Sequence, residues 1–459
     1  MVTGLELLSR IQFAFTISFH ILFPSFSIGL LSFIALFEGM WLKTQNKRYL
    51  NICKFWTKLL ALTFGMGIVS GIVMEFQLGT NWSHYTQTAG NVLGVLFTYE
   101  VLTAFFIEAG FLGVMFFGWN RVSPKLHFVA TLLALFGVTL SAFWIMSANS
   151  WMQYPSGVEF KHGVFSVTSW LDAIFNPLFI PRYLHMLLAT YIATLFAIIA
   201  ITANYLLKGK HVNFAKTCLR TALIALMVLI PLQILIGDEV GVKIHEYQPL
   251  KTAAIEGVWN TQKGAPLLLF AVPNQAAEKN DYAIGIPKLA SLINTHSLNG
   301  EMIGLKTVPA NDRPYVPLVF YSFRAMIGAW VVMFALTAYG AFLYWRNKLY
   351  TNKLYLKLSI LAAPLGFIAI ITGWFTAEFG RQPWVIYNYL RTSAAHSITP
   401  VHNVIISLAL LIIVYGIIFG YFYFRYFFKI LHAGPAEHID DTDQTFFYLS
   451  PNAAEKNND

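Results

Sequence analysis

Charged residues are scarce in this chain. Asp, Glu, Lys and Arg make up only 12% of its 459 residues, whereas 57% of the residues are hydrophobic. A soluble domain has roughly twice that charged fraction, and several apolar runs here reach the ~20 residues that span a bilayer. The composition excludes an ordinary soluble domain and predicts an all-α polytopic membrane protein. Its net charge of +9 does not indicate nucleic-acid binding, because the basic residues lie in short turns between apolar runs.

Cysteine is nearly absent, and two further features are missing. Cys53 and Cys218 are the only cysteines, so neither a disulfide framework nor a Cys-x-x-Cys-His site for covalently attached haem is present. The first apolar run has no small-residue cleavage site and continues past Pro24 to Trp41, which predicts a first membrane span rather than a cleaved signal. We find no internal repeat, so an inverted-repeat transporter has no support.

Nine membrane spans can be drawn, and they divide the chain into four parts. The spans are residues 11–41, 52–78, 92–119, 126–148, 183–207, 219–236, 319–345, 358–377 and 401–428. Residues 1–236 hold the first six spans, 237–318 form a hydrophilic loop outside the cytoplasm, 319–430 hold the last three spans, and 431–459 form a cytoplasmic tail. Within the loop, residues 251–256 are expected to form a short helix.

Basic residues predict how the spans are oriented. Five sets of Lys and Arg follow the first, third, fifth, seventh and ninth spans, all on one side. Since the cytoplasmic side is enriched in Lys and Arg, the N-terminus is expected outside and the C-terminus in the cytoplasm. Glu38, near the inner end of the first span, is expected to be exposed.

Six side chains that can bind metal or carry protons are expected in the outer half of the membrane, each from a different span. They are His20, Glu75, Glu100, His185, Met326 and Glu378. The folding of an apolar bundle does not require this coincidence, although each residue alone has an ordinary interpretation. A single His can hydrogen-bond across helices, a Met usually packs, and Glu378 with Arg381 can form only an interfacial ion pair.

Imidazole and thioether groups are axial ligands of haem iron in cytochromes. His185 with Met326 would give a six-coordinate, low-spin haem suited to electron transfer. His20 or Glu378 alone would leave an open iron position, which oxygen chemistry needs. Because guanidinium groups bind carboxylates, Arg324 and Arg381 are candidate partners of haem carboxylates.

A second group of residues is arranged as a proton path would be. Glu100 and Glu108 lie on the third span, about 12 Å apart along a regular helix and about 80° apart around it. Lys58, in the inner half of the second span, can belong to this path or can extend its ammonium to the inner interface.

Several longer motifs give the chain a family resemblance. They are Arg10-Ile-Gln-Phe with His20, Gly71-Ile-Val-Met-Glu75-Phe-Gln77-Leu-Gly79-Thr-Asn81-Trp82, Ser150-Trp-Met-Gln-Tyr-Pro155, Ser322-Phe-Arg324-Ala-Met326 and Gly380-Arg-Gln-Pro-Trp384. With these motifs the chain resembles subunit I of the cytochrome bd-type quinol oxidases, from Arg10 through the ninth span. Its loop resembles the short type within that family.

The resemblance implies three haems near the outer face. They are a low-spin haem b held by His185 and Met326, and two more held by His20 and Glu378, namely a high-spin haem b and a haem d or third haem b. Which of the two residues holds which haem stays open.

The resemblance also implies roles for other residues and for partners. It gives Glu100 a place beside the oxygen site, Glu108 and Lys58 a place on an inward proton route, and Lys251 and Glu256 a role in quinol oxidation. The partners implied are a second polytopic subunit, a very small third subunit in some members, membrane quinol and dioxygen, in a bacterial cytoplasmic membrane.

Two other functions account for part of the sequence. A cation channel or transporter would use the intramembrane acids and bind no haem. A b-type cytochrome anchor would use His185 and Met326 but would leave His20, Glu378 and Glu100 without a role.

Overall fold

The computed structural model describes residues 4–436, and the expected tail at 431–459 lies mostly outside this part of the chain. Within residues 4–436, nine helical segments are long and apolar enough to cross a membrane. The all-α class and the nine predicted spans are therefore confirmed. Some helices are longer than the apolar runs, since the third begins at Ser83 and the sixth runs over Val212–Tyr247.

The first six spans are built from eight helices, with a small hairpin and one short helix between the fourth and fifth spans. The elements are α1 Gly4–His20, α2 Leu22–Thr44, α3 Lys47–Thr80, α4 Ser83–Tyr99, α5 Phe106–Phe117, α6 Pro124–Gln153, β1 Val158–Lys161, β2 Val164–Val167, α7 Trp170–Ile174, α8 Phe179–Leu207 and α9 Val212–Tyr247. A break at Ile21 divides the first span into α1 and α2, so His20 ends the first of these two helices.

The remaining residues form the large loop and the last three spans. The loop contains α10 Pro249–Glu256, β3 Gln262–Lys263, β4 Leu267–Asn274, β5 Lys279–Ile286, α11 Leu289–Thr295, β6 Glu301–Met302 and the 3₁₀ turns Leu305–Thr307 and Ala310–Asp312. After it come α12 Val316–Trp345, α13 Lys353–Leu361, α14 Leu365–Phe379, β7 Trp384–Ile386, β8 Leu390–Arg391, α15 Thr392–Ala395, α16 Val401–Leu411 and α17 Gly420–Ala433. Because α10 ends at Glu256, the short helix expected at 251–256 is confirmed.

Local capping residues fix where several spans begin. Ser123 precedes α6 and accepts a hydrogen bond from the Leu126 amide at 3.3 Å, with Pro124 as the first helical residue. Asn352 does the same for α13 by accepting from the Tyr355 amide at 2.9 Å. Such caps satisfy amides that have no partner within the helix, so these polar turns set the first residue of each apolar helix.

Helix α8 is the central helix of the bundle and packs against α2, α6, α9, α13 and α14. A Cβ on Gly29 of α2 would lie 2.1 Å from Thr194 Oγ1, and one on Gly366 of α14 would lie 2.4 Å from Ala193 Cα. These glycines let α2 approach the Thr194 side chain and α14 approach the Ala193 backbone, at adjacent residues of α8. The arrangement fixes α14 against α8, and these two helices carry Glu378 and His185.

The expectation that Glu38 is exposed is wrong. Its side chain is fully buried, with Oε1 2.6 Å from His127 Nδ1 and Oε2 accepting from Thr131 Oγ1 at 2.7 Å. The other His127 ring nitrogen lies 3.1 Å from the Met115 carbonyl. This cluster joins α2, α5 and α6. A polar partner on another helix explains the burial, and nothing in the sequence around Glu38 indicates that partner.

Two spans contain a π-helical segment, Glu100–Phe105 between α4 and α5 and Ile412–Phe419 between α16 and α17. A π turn accommodates one more residue than an α turn and is frequent at functional sites. The angle of about 80° expected between Glu100 and Glu108 assumed a regular α-helix, so the π segment makes that value wrong.

The loop folds on top of α9 and α12. Its core is apolar and includes Ala253, Ala254, Trp259, Met302 and Leu305. The β4 and β5 strands pair antiparallel as a hairpin, and β3 pairs with β6. Helix α10 packs against both α9 and α12. Lys251 and Glu256 therefore lie at the end of the helix bundle that the loop covers.

Candidate active site

Glu378 lies in the last turn of α14 and is held by polar groups from another helix. Its Oε1 accepts hydrogen bonds from Asn149 Nδ2 at 3.0 Å and Gln153 Nε2 at 3.3 Å. These two residues are four apart at the end of α6, so they share one face of that helix. Its Oε2 pairs with Arg381. A carboxylate has about four lone-pair positions, so these contacts leave capacity for a further ligand.

Three basic side chains surround this carboxylate, of which Arg381 and Lys251 are buried and Arg182 is partly buried. Arg381 pairs with it directly, Arg182 donates to Asn149 Oδ1 at 2.6 Å, and Lys251 Nζ donates to Gln153 Oε1 at 2.5 Å. Lys251 is only 2% exposed. Burial, together with Arg182 and Arg381, lowers the pKa of Lys251 well below its usual value, while Glu378 opposes this shift. The two arginines outnumber the single Glu378 carboxylate, so the cluster carries an excess of positive charge in either protonation state of Lys251.

Arg381 has donors that the described residues do not satisfy. It is 4% exposed, and its Nε and Nη1 are buried without a hydrogen-bond partner within residues 4–436. Because buried polar groups are normally hydrogen-bonded, these two donors fit an anionic group such as the carboxylate of a haem. The expected contact of Arg381 with a haem carboxylate stays a prediction.

His185 and Met326 each face a glycine on a neighbouring helix. A Cβ on Gly237 of α9 would lie 3.2 Å from His185 Cε1, and one on Gly373 of α14 would lie 2.9 Å from Met326 Sδ. Gln233 Nε2 lies 3.2 Å from His185 Nδ1. Gly373 precedes Glu378 by five residues, about 7.5 Å along a helix, so the Met326 side chain lies near the C-terminal end of α14.

The contacts of His20 fit the tautomer that a metal ligand requires. Its Nδ1 lies 3.0 Å from Ser70 Oγ, and that hydroxyl is within hydrogen-bond distance of the Met66 carbonyl, at 2.8 Å. With the hydroxyl donating to that carbonyl, Nδ1 would carry the proton and Nε2 would keep its lone pair. Gly71 keeps the adjacent turn of α3 close, since a Cβ there would lie 3.1 Å from His20 Cε1.

The expected proton carriers are only partly assembled by this chain. Glu100 begins the π segment and accepts from Ser141 Oγ at 2.7 Å. Glu108 lies against α6, where a Cβ on Gly137 would be 3.0 Å from the Glu108 amide nitrogen. Lys58 is exposed on α3. Glu75 lines a cavity of about 410 Å³ between α3 and α4.

The loop acid Glu256 is buried beside an arginine of α12. Its Oε1 accepts from Asn294 Nδ2 at 3.3 Å, and its Oε2 lies 4.0 Å from Arg324 Nη2. Burial raises the pKa of the Glu256 carboxyl, and Arg324 and Asn294 oppose that shift. Glu256 is therefore a carboxyl that can hold a proton closer to neutral pH than an exposed one.

Arg324 binds the loop through all three of its nitrogens. Nε and Nη2 donate to the Leu268 carbonyl at 3.0 and 2.7 Å, and Nη1 donates to the Ile255 carbonyl at 2.8 Å. Arg324 thus fastens α12 to both α10 and β4. Its expected contact with a haem carboxylate stays a prediction.

The neutral and basic groups that hydrogen-bond to the candidate site residues were not predicted from the sequence. They are Ser70, Ser141, Asn149, Arg182, Gln233 and Asn294, with Gln153 noted only as part of a motif. Asn149 and Gln153 have the i, i+4 spacing at a helix end that could have indicated a shared face. Their partner on α14 depends on helix packing.

Comparison with known proteins shows the family of this chain. Residues 8–435 match the family described as cytochrome bd terminal oxidase subunit I. The chain belongs to this family. It is 32% identical to the cytochrome bd-II ubiquinol oxidase subunit 1 of Escherichia coli K12, over 89% of this chain and 93% of that protein.

A second relative and a solved structure extend the comparison. The cytochrome bd ubiquinol oxidase subunit 1 of Bacillus subtilis 168 is 36% identical over 90% of each protein. The bd oxidase structure from Geobacillus thermodenitrificans superposes with a TM-score of 0.87 at 28% identity, covering 95% of this chain and 100% of that one. The predicted resemblance is confirmed. This cytochrome bd subunit I is a multi-pass membrane protein and an oxidoreductase, part of a haem-containing quinol oxidase.

Proposed function

We propose that this subunit oxidises membrane quinol at the outer face and reduces dioxygen to water through three haems, with protons taken from the cytoplasm. The observation that carries the proposal is the buried cluster at the outer end of α14. There Glu378, Arg381, Arg182 and Lys251 meet through Asn149 and Gln153. A carboxylate beside excess buried cations and unpartnered Arg381 donors fits a haem site rather than a simple ion pair.

His185 and Met326 hold the low-spin haem b in this proposal. His20 and Glu378 hold the other two, a high-spin haem b and a haem d or third haem b. When bound, the haems supply electron transfer and dioxygen reduction. The free lone pair of His20 Nε2, fixed by Ser70, supports its ligand role. In this proposal, Arg381 directs its Nε and Nη1 donors, which have no partner within residues 4–436, toward the carboxylates of a haem.

Quinol oxidation is assigned to Lys251 and Glu256 on α10. Glu256 accepts a proton from a quinol hydroxyl, and the raised pKa of its carboxyl makes it a stronger base than an exposed carboxylate. Lys251 Nζ orients the quinol oxygen as a hydrogen-bond donor. Because Lys251 also donates to Gln153, which donates to Glu378, the quinol site and the haem site share one hydrogen-bond network.

Glu100 and Glu108 carry protons toward the oxygen site, and Lys58 lies at the start of the route. The hydrogen bond from Ser141 supports the position of Glu100 next to α6. Lys58 is exposed on this chain, so in the assembled enzyme it faces either lipid or another subunit. The basic turns favour a cytoplasmic side for this end of the bundle.

The proposed assembly contains a second polytopic subunit, with a very small third subunit in some members of the family. The relatives are described as ubiquinol oxidases and, in one Bacillus subtilis protein, as a putative menaquinol oxidase. Membrane quinol and dioxygen are the substrates, and the bacterial cytoplasmic membrane is the location.

A pyridine haemochrome analysis of the purified complex tests the proposal, together with oxygen uptake driven by a reduced quinol. Three haems per complex and quinol-dependent uptake are expected. A complex with no Soret absorption would instead be a channel or transporter. Haem without oxygen uptake would leave a b-type cytochrome anchor.

A further inference from the structure

The β4–β5 hairpin has an apolar face that is not covered by the described part of this chain. Phe270 and Ile284 lie opposite each other in the register, and their exposed fractions are 52% and 64%. Leu269, Val272, Tyr282 and Ile286 are also exposed. The tip is polar, with Asn274 and Lys279 paired at the ends of the two strands. The hairpin is thus apolar at its base and polar at its tip.

Contacts with α12 show where each part of the hairpin lies along the axis of that helix. At the tip, Gln275 Oε1 accepts from the Val316 amide at 3.0 Å, at the start of α12. At the base, the Leu268 carbonyl accepts from Arg324. Val316 and Arg324 are eight residues apart, about 12 Å along the helix. The apolar base therefore lies about 12 Å deeper than the polar tip.

The depth of this base follows from the length of α12. About 20 helical residues cross the hydrocarbon of a bilayer. Counted back from the Trp345 end of the helix, they reach the vicinity of Arg324. The base of the hairpin is then level with the boundary between acyl chains and headgroups, where aromatic side chains are enriched.

The apolar face is also continuous with the exposed stripe of α12. Tyr321, on that stripe, donates from its hydroxyl to the Ala271 carbonyl of β4 at 3.1 Å. Leu318 and Val332 extend the stripe in the two directions along the helix. A single surface therefore runs from the membrane-spanning helix onto the hairpin.

We propose that the base of the β4–β5 hairpin is embedded in the lipid of the leaflet on the loop side, at the level of the headgroup–acyl boundary. Leu268 connects this base to Arg324, whose other donor binds the Ile255 carbonyl beside Glu256. The embedded hairpin thus provides a lateral surface along which a lipid-dissolved molecule reaches Glu256. The embedding rests on the membrane position of α12 and does not depend on the proposed quinol activity.

Spin labelling of the complete oxidase complex in lipid nanodiscs tests this proposal. Cys53 and Cys218 are both fully buried, so a nitroxide attached at Ile284→Cys reports on the new position. The complex without an added cysteine gives the background. Phe270→Cys, on the paired strand, is a second variant that covers the case in which the first does not fold. Ala277→Cys, exposed at the polar tip, is the matched control.

The measurement is collision of each label with dioxygen, which partitions into lipid, and with a nickel chelate, which stays in water. The ratio of oxygen to nickel collisions is expected to be several-fold higher at positions 284 and 270 than at position 277. Equal access of the nickel chelate at all three positions would overturn the proposal in favour of an aqueous hairpin. Exclusion of both reagents at 284 and 270 would also overturn it, because another subunit would then cover the face.

Discussion

Replacing Gln153 by Met should separate the quinol site from the haem site. The side chain is buried and connects Lys251 Nζ, at 2.5 Å, with Glu378 Oε1, at 3.3 Å. Methionine has nearly the same length as glutamine. Its thioether is only a weak acceptor for Lys251 Nζ and has no donor for the Glu378 carboxylate. Glu378 keeps its contacts with Asn149 and Arg381, so the effect should fall mainly on Lys251.

The size of the effect follows from the buried donor that loses its acceptor. Leaving a buried donor unsatisfied costs about 1–3 kcal/mol, and each ~1.4 kcal/mol is a factor of ten in an equilibrium constant. Lys251 is almost completely buried, so water does not replace the lost acceptor. If Lys251 positions the quinol, the quinol KM should rise by about tenfold or more, with a smaller change in kcat.

Steady-state oxygen uptake with a reduced quinol measures this KM, and the haem absorption spectrum reports on Glu378. The control is Gln248→Met. Gln248 is equally buried, but its side chain donates to the Gln153 main-chain carbonyl at 2.9 Å, and that carbonyl is kept in both variants. An unchanged quinol KM in Gln153→Met, or the same rise in both variants, would refute the proposed connection.

Three further changes test other parts of the structure. Met326→Leu keeps the packing against Gly373 but removes the thioether, so the low-spin haem spectrum should be lost; an unchanged spectrum would exclude the axial assignment. Glu256→Gln should remove a pH dependence of loop stability. Because the folded-state pKa of the Glu256 carboxyl is raised, its contribution to loop stability is complete below pH ~4.3 and is lost as pH rises through the folded-state pKa. Proteolysis of the wild-type loop should therefore increase over that pH range, and the same increase in Glu256→Gln would contradict the assignment. Glu38→Ala should cost about 3–5 kcal/mol by leaving His127 without its buried partner, seen as faster thermal inactivation than in exposed Lys43→Ala; equal rates would mean that the cluster does not stabilise the bundle.

The sequence predicts the membrane spans well because each is a local property. An apolar run of about 20 residues must satisfy its backbone within a helix, whatever its neighbours are. The depth of His20, His185, Met326 and Glu378 could be counted from the ends of these runs. That is why residues far apart in the chain could be assigned to one level of the membrane.

The interactions between helices could not be predicted in the same way. Glu38 is buried because His127 and Thr131 on α6 face it, and the rotation of α6 is decided by packing. Asn149 and Gln153 meet Glu378 for the same reason. The loop hairpin was also missed, since its run of leucines and phenylalanine has no clear alternation and its exposed face depends on contact with α12.

The π segment at Glu100 has a consequence for the kind of mutation that is informative there. A π turn accommodates one extra residue within an otherwise regular helix. Deleting a single residue, such as Ala104, would allow regular α-helix to form while both ends of the span keep their orientation, because the π turn had absorbed that residue. Conversion of the π segment to α-helix without a deletion would instead rotate Glu100 by about 100° relative to α5. Glu100 would then turn away from Ser141 although neither residue had been changed. In this span, the π turn determines which way the acid points.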